Sequence, residues 1–311
     1  MDIVFLGTPA FAVPTLRNLV EAGPAQDMHV RAVICQPDRP VGRKAEMQSP
    51  AVKVFAAAHG IEVAQPDKIR RDAAFELLAA YRPTVMVVVA YGQIIPRRIF
   101  ELPPLGTINA HASLLPKYRG AAPIQWALAQ GETVTGITTM KIDAGLDTGD
   151  MLLRREVEIG AEEEAIQLSA RLAEMAAQLT FETLLGLERG TIQPQPQAHA
   201  AATLAPILKR SDGRADWNRR ADELYNQWRG FQPWPGLHSR FRGQQLTVHR
   251  CHPVRGEAAV PGTLRLEGSQ LRGATGEGWL VLEEVQLEGR KRVTGAEFAR
   301  GARLGETERL A

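Results

Sequence analysis

Asn109, His111 and Asp147 are the residues whose types and spacing offer chemistry most plainly. Thr107-Ile108-Asn109-Ala110-His111 is an extended run, so period-two alternation puts the amide and the imidazole on one face of a strand. A neutral amide donor beside an imidazole suits polarising a carbonyl and moving a proton. The run continues as Ala112-Ser113-Leu114-Leu115-Pro116-Lys117-Tyr118-Arg119-Gly120, and Asp147 follows in a second loop, Asp143 to Gly149. Each residue also has a plainer use. A strand histidine is often a satisfied structural group, and Asp-Thr-Gly is good turn chemistry. Their combination with Gly- and Pro-punctuated loops is what points to a site.

The elements around these residues predict an α/β domain. Thr84 to Ala90 is β-branched and apolar throughout, which reads as a strand buried on both faces. Residues 2–7 form a first strand, Leu16, Leu19 and Val20 mark one face of a helix that stops at Gly23, and Val30 to Cys35 forms a second strand. This βαβ beginning predicts a Rossmann-like, mostly parallel sheet. Gly7-Thr8-Pro9 has one glycine where a dinucleotide fingerprint needs three, so NAD or FAD binding by that route is rejected. Helices are expected at 52–59, 73–81 and 124–130, and strands at 61–64, 134–142 and 151–159. Leu168, Leu172, Met175 and Leu179 then mark a helix that packs on the sheet.

Residues 36–50 hold three prolines with Arg39, Arg43 and Lys44 and little periodicity, and read as a long loop. Residues 191–206 are rich in proline and alanine without apolar periodicity, and read as a linker. Beyond Lys209, Arg210 and a helix near 221–228, short alternating runs separated by glycines suit a small antiparallel barrel. The expected organisation is therefore a domain at 1–190, a linker at 191–206 and a β-barrel domain at 207–311.

Composition sets outer bounds. At 311 residues, 44% hydrophobic and 23% charged, the chain reads as an ordinary globular protein with room for two cores. No apolar run reaches the ~18 to 20 residues of a membrane helix, and the N-terminus shows no signal peptide. Cys35 and Cys251 are far apart without ligand-like neighbours, which argues against a disulfide framework or zinc site and for a cytoplasmic setting. Residues 1–205 hold 19 Lys and Arg against 22 Asp and Glu, a net −3, whereas 206–311 hold 18 against 13, a net +5. A mildly basic C-terminal part is a weak pointer to a polyanionic partner.

The run from Asn109 to Gly120, with Asp143 to Gly149, resembles the signature of the folate-dependent formyltransferases. Phe5 to Pro9, Gln36 to Pro40, Ala90 to Pro96, Gly276 to Trp279 and Gly289 to Arg292 resemble the branch that acts on methionyl-tRNA, and the likeness covers essentially the whole chain. The resemblance implies formyl transfer from 10-formyltetrahydrofolate, as formyl-donor co-substrate, to the α-amino group of methionine on initiator tRNA. It further implies an OB-like C-terminal domain that binds tRNA. Asn109 is expected to donate to the oxyanion. His111 donates to the same oxygen or relays a proton, and Asp147 orients it. Ser113, Leu114, Leu115 and Pro116, with Tyr91 and Gly92, are expected on the folate side. Arg43, Lys44, Lys209 and Arg210 are expected to meet tRNA phosphates. The implied reaction needs neither metal nor enzyme nucleophile, and Ser113 lacks the Gly-x-Ser-x-Gly context of a serine hydrolase. A monomer is expected. Other readings are a formyltransferase acting on glycinamide ribonucleotide or an amino sugar, and a non-catalytic RNA-binding protein.

Overall fold

The computed structural model describes residues 1–41, 45–305 and 307–311, and divides into two compact units. The first comprises residues 1–123, 134–158 and 169–205. The second comprises 124–133, 159–168 and 206–311.

In chain order the elements are β1 (Asp2–Gly7), α1 (Val13–Glu21), β2 (His29–Ile34), β3 (Arg39–Val41), β4 (Glu46–Gln48), α2 (Ala51–Ala58), β5 (Glu62–Ala64), α3 (Asp72–Ala80), β6 (Val85–Val89), the helical turn α4 (Arg97–Phe100), β7 (Thr107–His111), α5 (Pro123–Ala129), β8 (Val134–Lys141), β9 (Met151–Glu158) and α6 (Ala165–Glu188). Seven strands form one sheet in the order β5-β2-β1-β6-β7-β8-β9. The pairs from β5 to β7 are parallel, and β7/β8 and β8/β9 are antiparallel. All five residues of β6 are buried, as expected of a strand covered on both faces. The chain winds outward from β1 to β2 and β5, then returns to β6 on the other side of β1. Crevices at the carboxyl ends of strands beside such a reversal are where open α/β sheets bind ligands. The turn after β7 therefore emerges at a favourable place.

Two expectations need correction in this unit. Residues 36–50 are not wholly irregular: β3 and β4 pair as a short antiparallel hairpin, Arg39 against Gln48 through Val41 against Glu46. Arg43 and Lys44 lie outside the described residues. Residues 191–205, expected as a linker, belong to the first unit. Met151 and Gln195 exchange two backbone hydrogen bonds of 2.9 and 2.8 Å, and Arg119 and Ala122 bond to Thr203 and Ala205. The segment is held by main-chain bonds and by the isolated side chains of Gln197 and Thr203, which leave no side-chain periodicity to read.

The second unit contains α7 (Ala221–Gly230), β10 (Leu237–Phe241), β11 (Gln244–Val254), β12 (Leu264–Glu267), β13 (Gln270–Ala274), β14 (Trp279–Leu287), β15 (Val293–Thr294) and α8 (Gly295–Ala302). Its strands run in the order β10-β11-β14-β13-β12, with β15 beside β14. The tail closes this sheet into a barrel. Arg240 and Ala311 exchange two backbone bonds, Leu310 donates to Gly262 O, and Leu264 donates to Glu308 O. Trp217, Leu224, Trp228, Phe241, Val248, Leu280, Leu282 and Phe298 fill its core. Helix α8 had not been expected, although Thr294 and Glu297 form a capping box at its start.

Candidate active site

Strand β7 delivers Asn109 and His111 to one face, as alternation requires, with Asn109 opposite Met140 and His111 opposite Thr138 on β8. Thr138 also shapes the turn that follows. Its hydroxyl donates to Ser113 O at 2.7 Å and accepts from Leu115 N–H at 3.1 Å. Ser113 Oγ donates to Lys117 O at 2.6 Å, which tightens the same turn from within.

That turn brings a main-chain oxygen onto the imidazole. His111, 6% exposed, has Nε2 2.8 Å from Tyr118 O. A carbonyl can only accept, so Nε2 carries the proton and Nδ1 is the basic edge of the neutral ring. Nδ1 faces Asp147 Oδ2 at 3.6 Å. The same carboxylate oxygen accepts Gly120 N–H at 2.8 Å. Asp147 sits at φ 51°, in the left-handed region that few side-chain-bearing residues adopt. Its loop is stapled by Asp143, whose carboxylate accepts from Gly145 N–H and from the Thr148 hydroxyl. Asn109 is half-buried, and its amide makes no hydrogen bond among the described residues. The site therefore holds a free amide donor, an imidazole of fixed tautomer and a carboxylate, which suits carbonyl polarisation coupled to proton transfer.

The other expected contacts are distributed differently. Leu114, Pro116 and Gly92 keep exposed surface, whereas Ser113 and Leu115 are fully buried beneath the turn. The Tyr91 ring is buried in the core of the sheet domain, and burial pushes its phenol well above the usual range. Its carbonyl accepts from Thr8 Oγ1 at 2.9 Å and from Gln36 Nε2 at 3.3 Å, so Tyr91 anchors the loop after β6. A cavity of about 560 Å³ opens beside the 143–149 loop, between Arg97–Thr107 and Lys141–Gly145. Phe100, Pro103, Pro104 and Ile142 are its apolar walls. Thr107 also lines it and shares the face of β7 that carries Asn109 and His111. In the second unit Lys209 and Arg210 are exposed, with Arg210 donating to Gln245 Oε1 at 2.8 Å.

Sequence reasoning missed the partners supplied by residues 195–205. Arg119, 6% exposed, donates from Nε and Nη2 to Gln197 Oε1 at 3.0 and 2.6 Å, and its Nη2 lies 3.1 Å from His199 Nδ1. Thr203 accepts Tyr118 N–H at 2.9 Å on its hydroxyl and Arg119 N–H at 2.9 Å on its carbonyl. Only the fold brings these residues beside the site, and no residue type or spacing announced them.

Comparison with known proteins agrees with this geometry. Residues 1–184 match the family described as formyl transferase, and residues 207–303 match the formyl transferase C-terminal domain. A methionyl-tRNA formyltransferase of Solibacter usitatus is 55% identical over 311 residues, covering 100% of this chain and 98% of that protein. The chain belongs to the methionyl-tRNA formyltransferase family. Two solved structures share the fold of this formyltransferase. An N-formyltransferase from Helicobacter canadensis, in complex with folinic acid and dTDP-3-aminofucose, superposes with a TM-score of 0.65 at 15% identity, covering 90% of this chain and 98% of that one. HypX from Aquifex aeolicus, in complex with tetrahydrofolic acid, does so with a TM-score of 0.61 at 17% identity. There the formyltransferase covers 96% of its own length and 46% of HypX. No group of three or more His, Cys, Asp or Glu side chains able to hold a metal occurs among its described residues. No helix among them is long and apolar enough to cross a membrane.

Proposed function

We propose that the chain transfers the formyl group of 10-formyltetrahydrofolate to the α-amino group of methionine on initiator tRNA, by direct attack. The neutral amine nitrogen bonds to the formyl carbon, and the carbonyl oxygen takes up the negative charge. The amine loses a proton, the bond from carbon to folate N10 breaks, and N10 gains a proton. Tetrahydrofolate and the N-formylated amine result.

One observation carries this reading: His111 Nε2 is committed to Tyr118 O, which leaves Nδ1 facing Asp147. Of the two roles open to His111, this supports proton relay over donation to the oxyanion. A proton arriving at Nδ1 stands 3.6 Å from the Asp147 carboxylate. Asn109, whose amide has no partner among the described residues, is then the side-chain donor to the oxyanion. The cavity beside the 143–149 loop suits a flat pterin, with Phe100, Pro103, Pro104 and Ile142 as apolar walls. Leu114, Pro116 and the Gly92 backbone border the rest of the folate. Lys209, Arg210 and the basic barrel domain grip tRNA phosphates, and shape and single-stranded ends carry specificity. Lys209 and Arg210 precede the barrel strands and are exposed to a polyanion.

The test is transfer of labelled formyl from 10-formyltetrahydrofolate to charged initiator tRNA, with charged elongator tRNA and free amines as controls. Label appearing on initiator methionine alone supports the reading. Equal labelling of a free amino sugar or glycinamide ribonucleotide would overturn the choice of acceptor, and no labelling of any amine would overturn the enzyme reading.

A further inference from the structure

We propose that Gln197 is a positioning residue for Asp147, which makes the 195–205 segment part of the catalytic apparatus. This inference rests on the reading that Asp147 serves His111 during transfer. Asp147 is held at both ends. Its carboxylate accepts Gly120 N–H at 2.8 Å, and its carbonyl accepts Gln197 Nε2 at 2.9 Å. Gln197 Nε2 also donates to Gly149 O at 2.7 Å, so its two N–H groups span the loop end. Gln197 Oε1 accepts both Arg119 nitrogens, and Arg119 directly precedes Gly120.

A closed ring results, from carboxylate to Gly120, along the chain to Arg119, across to Gln197 and back to the Asp147 carbonyl. The ring also fixes the amide's sense. A guanidinium only donates, so the amide oxygen must face it, and the nitrogen is left for the two carbonyls. Gln197 is 5% exposed, and all four of its side-chain hydrogen-bonding positions are used, three within the ring and the fourth on Gly149 O. A left-handed, side-chain-bearing residue such as Asp147 persists only where its surroundings over-determine it. The segment itself is fastened by Thr203 and Ala205, which bond to both sides of the Arg119 main chain at 2.9 and 2.7 Å. Gln197 thus reaches the reacting groups through Asp147, and through the 3.6 Å separation between that carboxylate and Nδ1.

The experiment compares Gln197→Glu, Asp147→Asn and the double variant in the full-length enzyme. Gln197→Glu keeps acceptors for Arg119 but turns an oxygen toward the carbonyls of Asp147 and Gly149. Readouts are the single-turnover formyl-transfer rate and its pH profile, dissociation constants for tetrahydrofolate and for tRNA, and Tm. Gln197→Glu is expected to slow transfer by ~10²-fold, the scale of a misplacement near 1 Å, and to alter the pH profile. Both dissociation constants should stay within about threefold of the parent's. In the Asp147→Asn background the same change should cost less than about threefold, because both act through one carboxylate. Gln197→Met, which removes the donors and keeps the bulk, is read in its place if Gln197→Glu fails to fold. A parent-like rate in the Gln197 variant would overturn the inference, as would losses that multiply in the double variant. If Asp147→Asn itself transfers at the parent rate, the role of Asp147 falls and the inference falls with it.

Discussion

Replacing Asn109 separates catalysis from stability. The side chain is half-buried and its amide has no hydrogen-bond partner among the described residues. Truncation to alanine therefore strands no buried partner and opens no apolar cavity, so stability should move by less than about 0.5 kcal/mol. Catalysis should respond differently. Loss of one oxyanion donor typically lowers kcat by ~10²–10³, or about 3–4 kcal/mol. Asn109→Asp sharpens the test, since it keeps the size and exchanges the donor for a negative charge. Two like charges about 4 Å apart at an effective dielectric near 20 repel by about 4 kcal/mol, so the aspartate should fall well below the alanine. The assay is single-turnover transfer of labelled formyl at pH 8, alongside chemical denaturation of each variant. The expected order of rates is parent, then Asn109→Ala, then Asn109→Asp, with denaturation midpoints nearly unchanged. An alanine variant within threefold of the parent, or an aspartate as active as the alanine, would refute the oxyanion assignment.

Other perturbations follow from packing and charge. A Cβ on Gly136 would lie 2.0 Å from Arg155 O and 2.6 Å from Leu114 Cδ2, so Gly136→Ala must part β8 from β9 or displace the turn after His111. Destabilisation of at least ~1–3 kcal/mol in urea is expected, and an unchanged midpoint would contradict the packing. Hydrogen bonds from Lys53 and Gln65 hold the Asp38 carboxyl down at about 2. Because the folded value lies below the unfolded one of ~3.9, its contribution is complete above that value and is lost as pH falls toward 2. The Tm gap between the parent and Asp38→Asn should accordingly be full at pH 6 and close near pH 2; an equal gap at both would exclude the ion pair as its source. Replacing Lys209 and Arg210 by alanine should weaken tRNA binding, lower the slope of log K against log salt by ~0.7–0.9 per lost phosphate contact, and leave folate binding unchanged. An unaltered slope would remove both residues from the tRNA contact.

The readable part of this molecule was the part written in side chains. The all-apolar β6 announced a covered strand, and the two-residue spacing of Asn109 and His111 correctly put them on one face. Helix α6 was legible because Leu168, Leu172, Met175 and Leu179 recur at helical spacing; the three leucines are buried and Met175 is half-buried. What stayed hidden was written in the backbone. The hairpin of β3 and β4 has too few residues for alternation to show. Residues 195–205 bind through peptide groups and the scattered side chains of Gln197, His199 and Thr203, so a Pro-Gln-Ala sequence there looks like any tether. Helix α8 was different: Thr294 and Glu297 carried a legible start, overlooked among short alternating runs.

The oxygen that fixes the imidazole of His111 belongs to the peptide group of Tyr118, a residue at φ 59° whose own N–H is taken by Thr203. No codon change deletes a carbonyl, so a scan of side-chain variants passes over this partner in silence. Its weight becomes visible only by chemical synthesis, in which an ester in place of the amide between Tyr118 and Arg119 leaves every side chain intact, makes that acceptor poorer and also removes the Arg119 N–H that donates to Thr203 O.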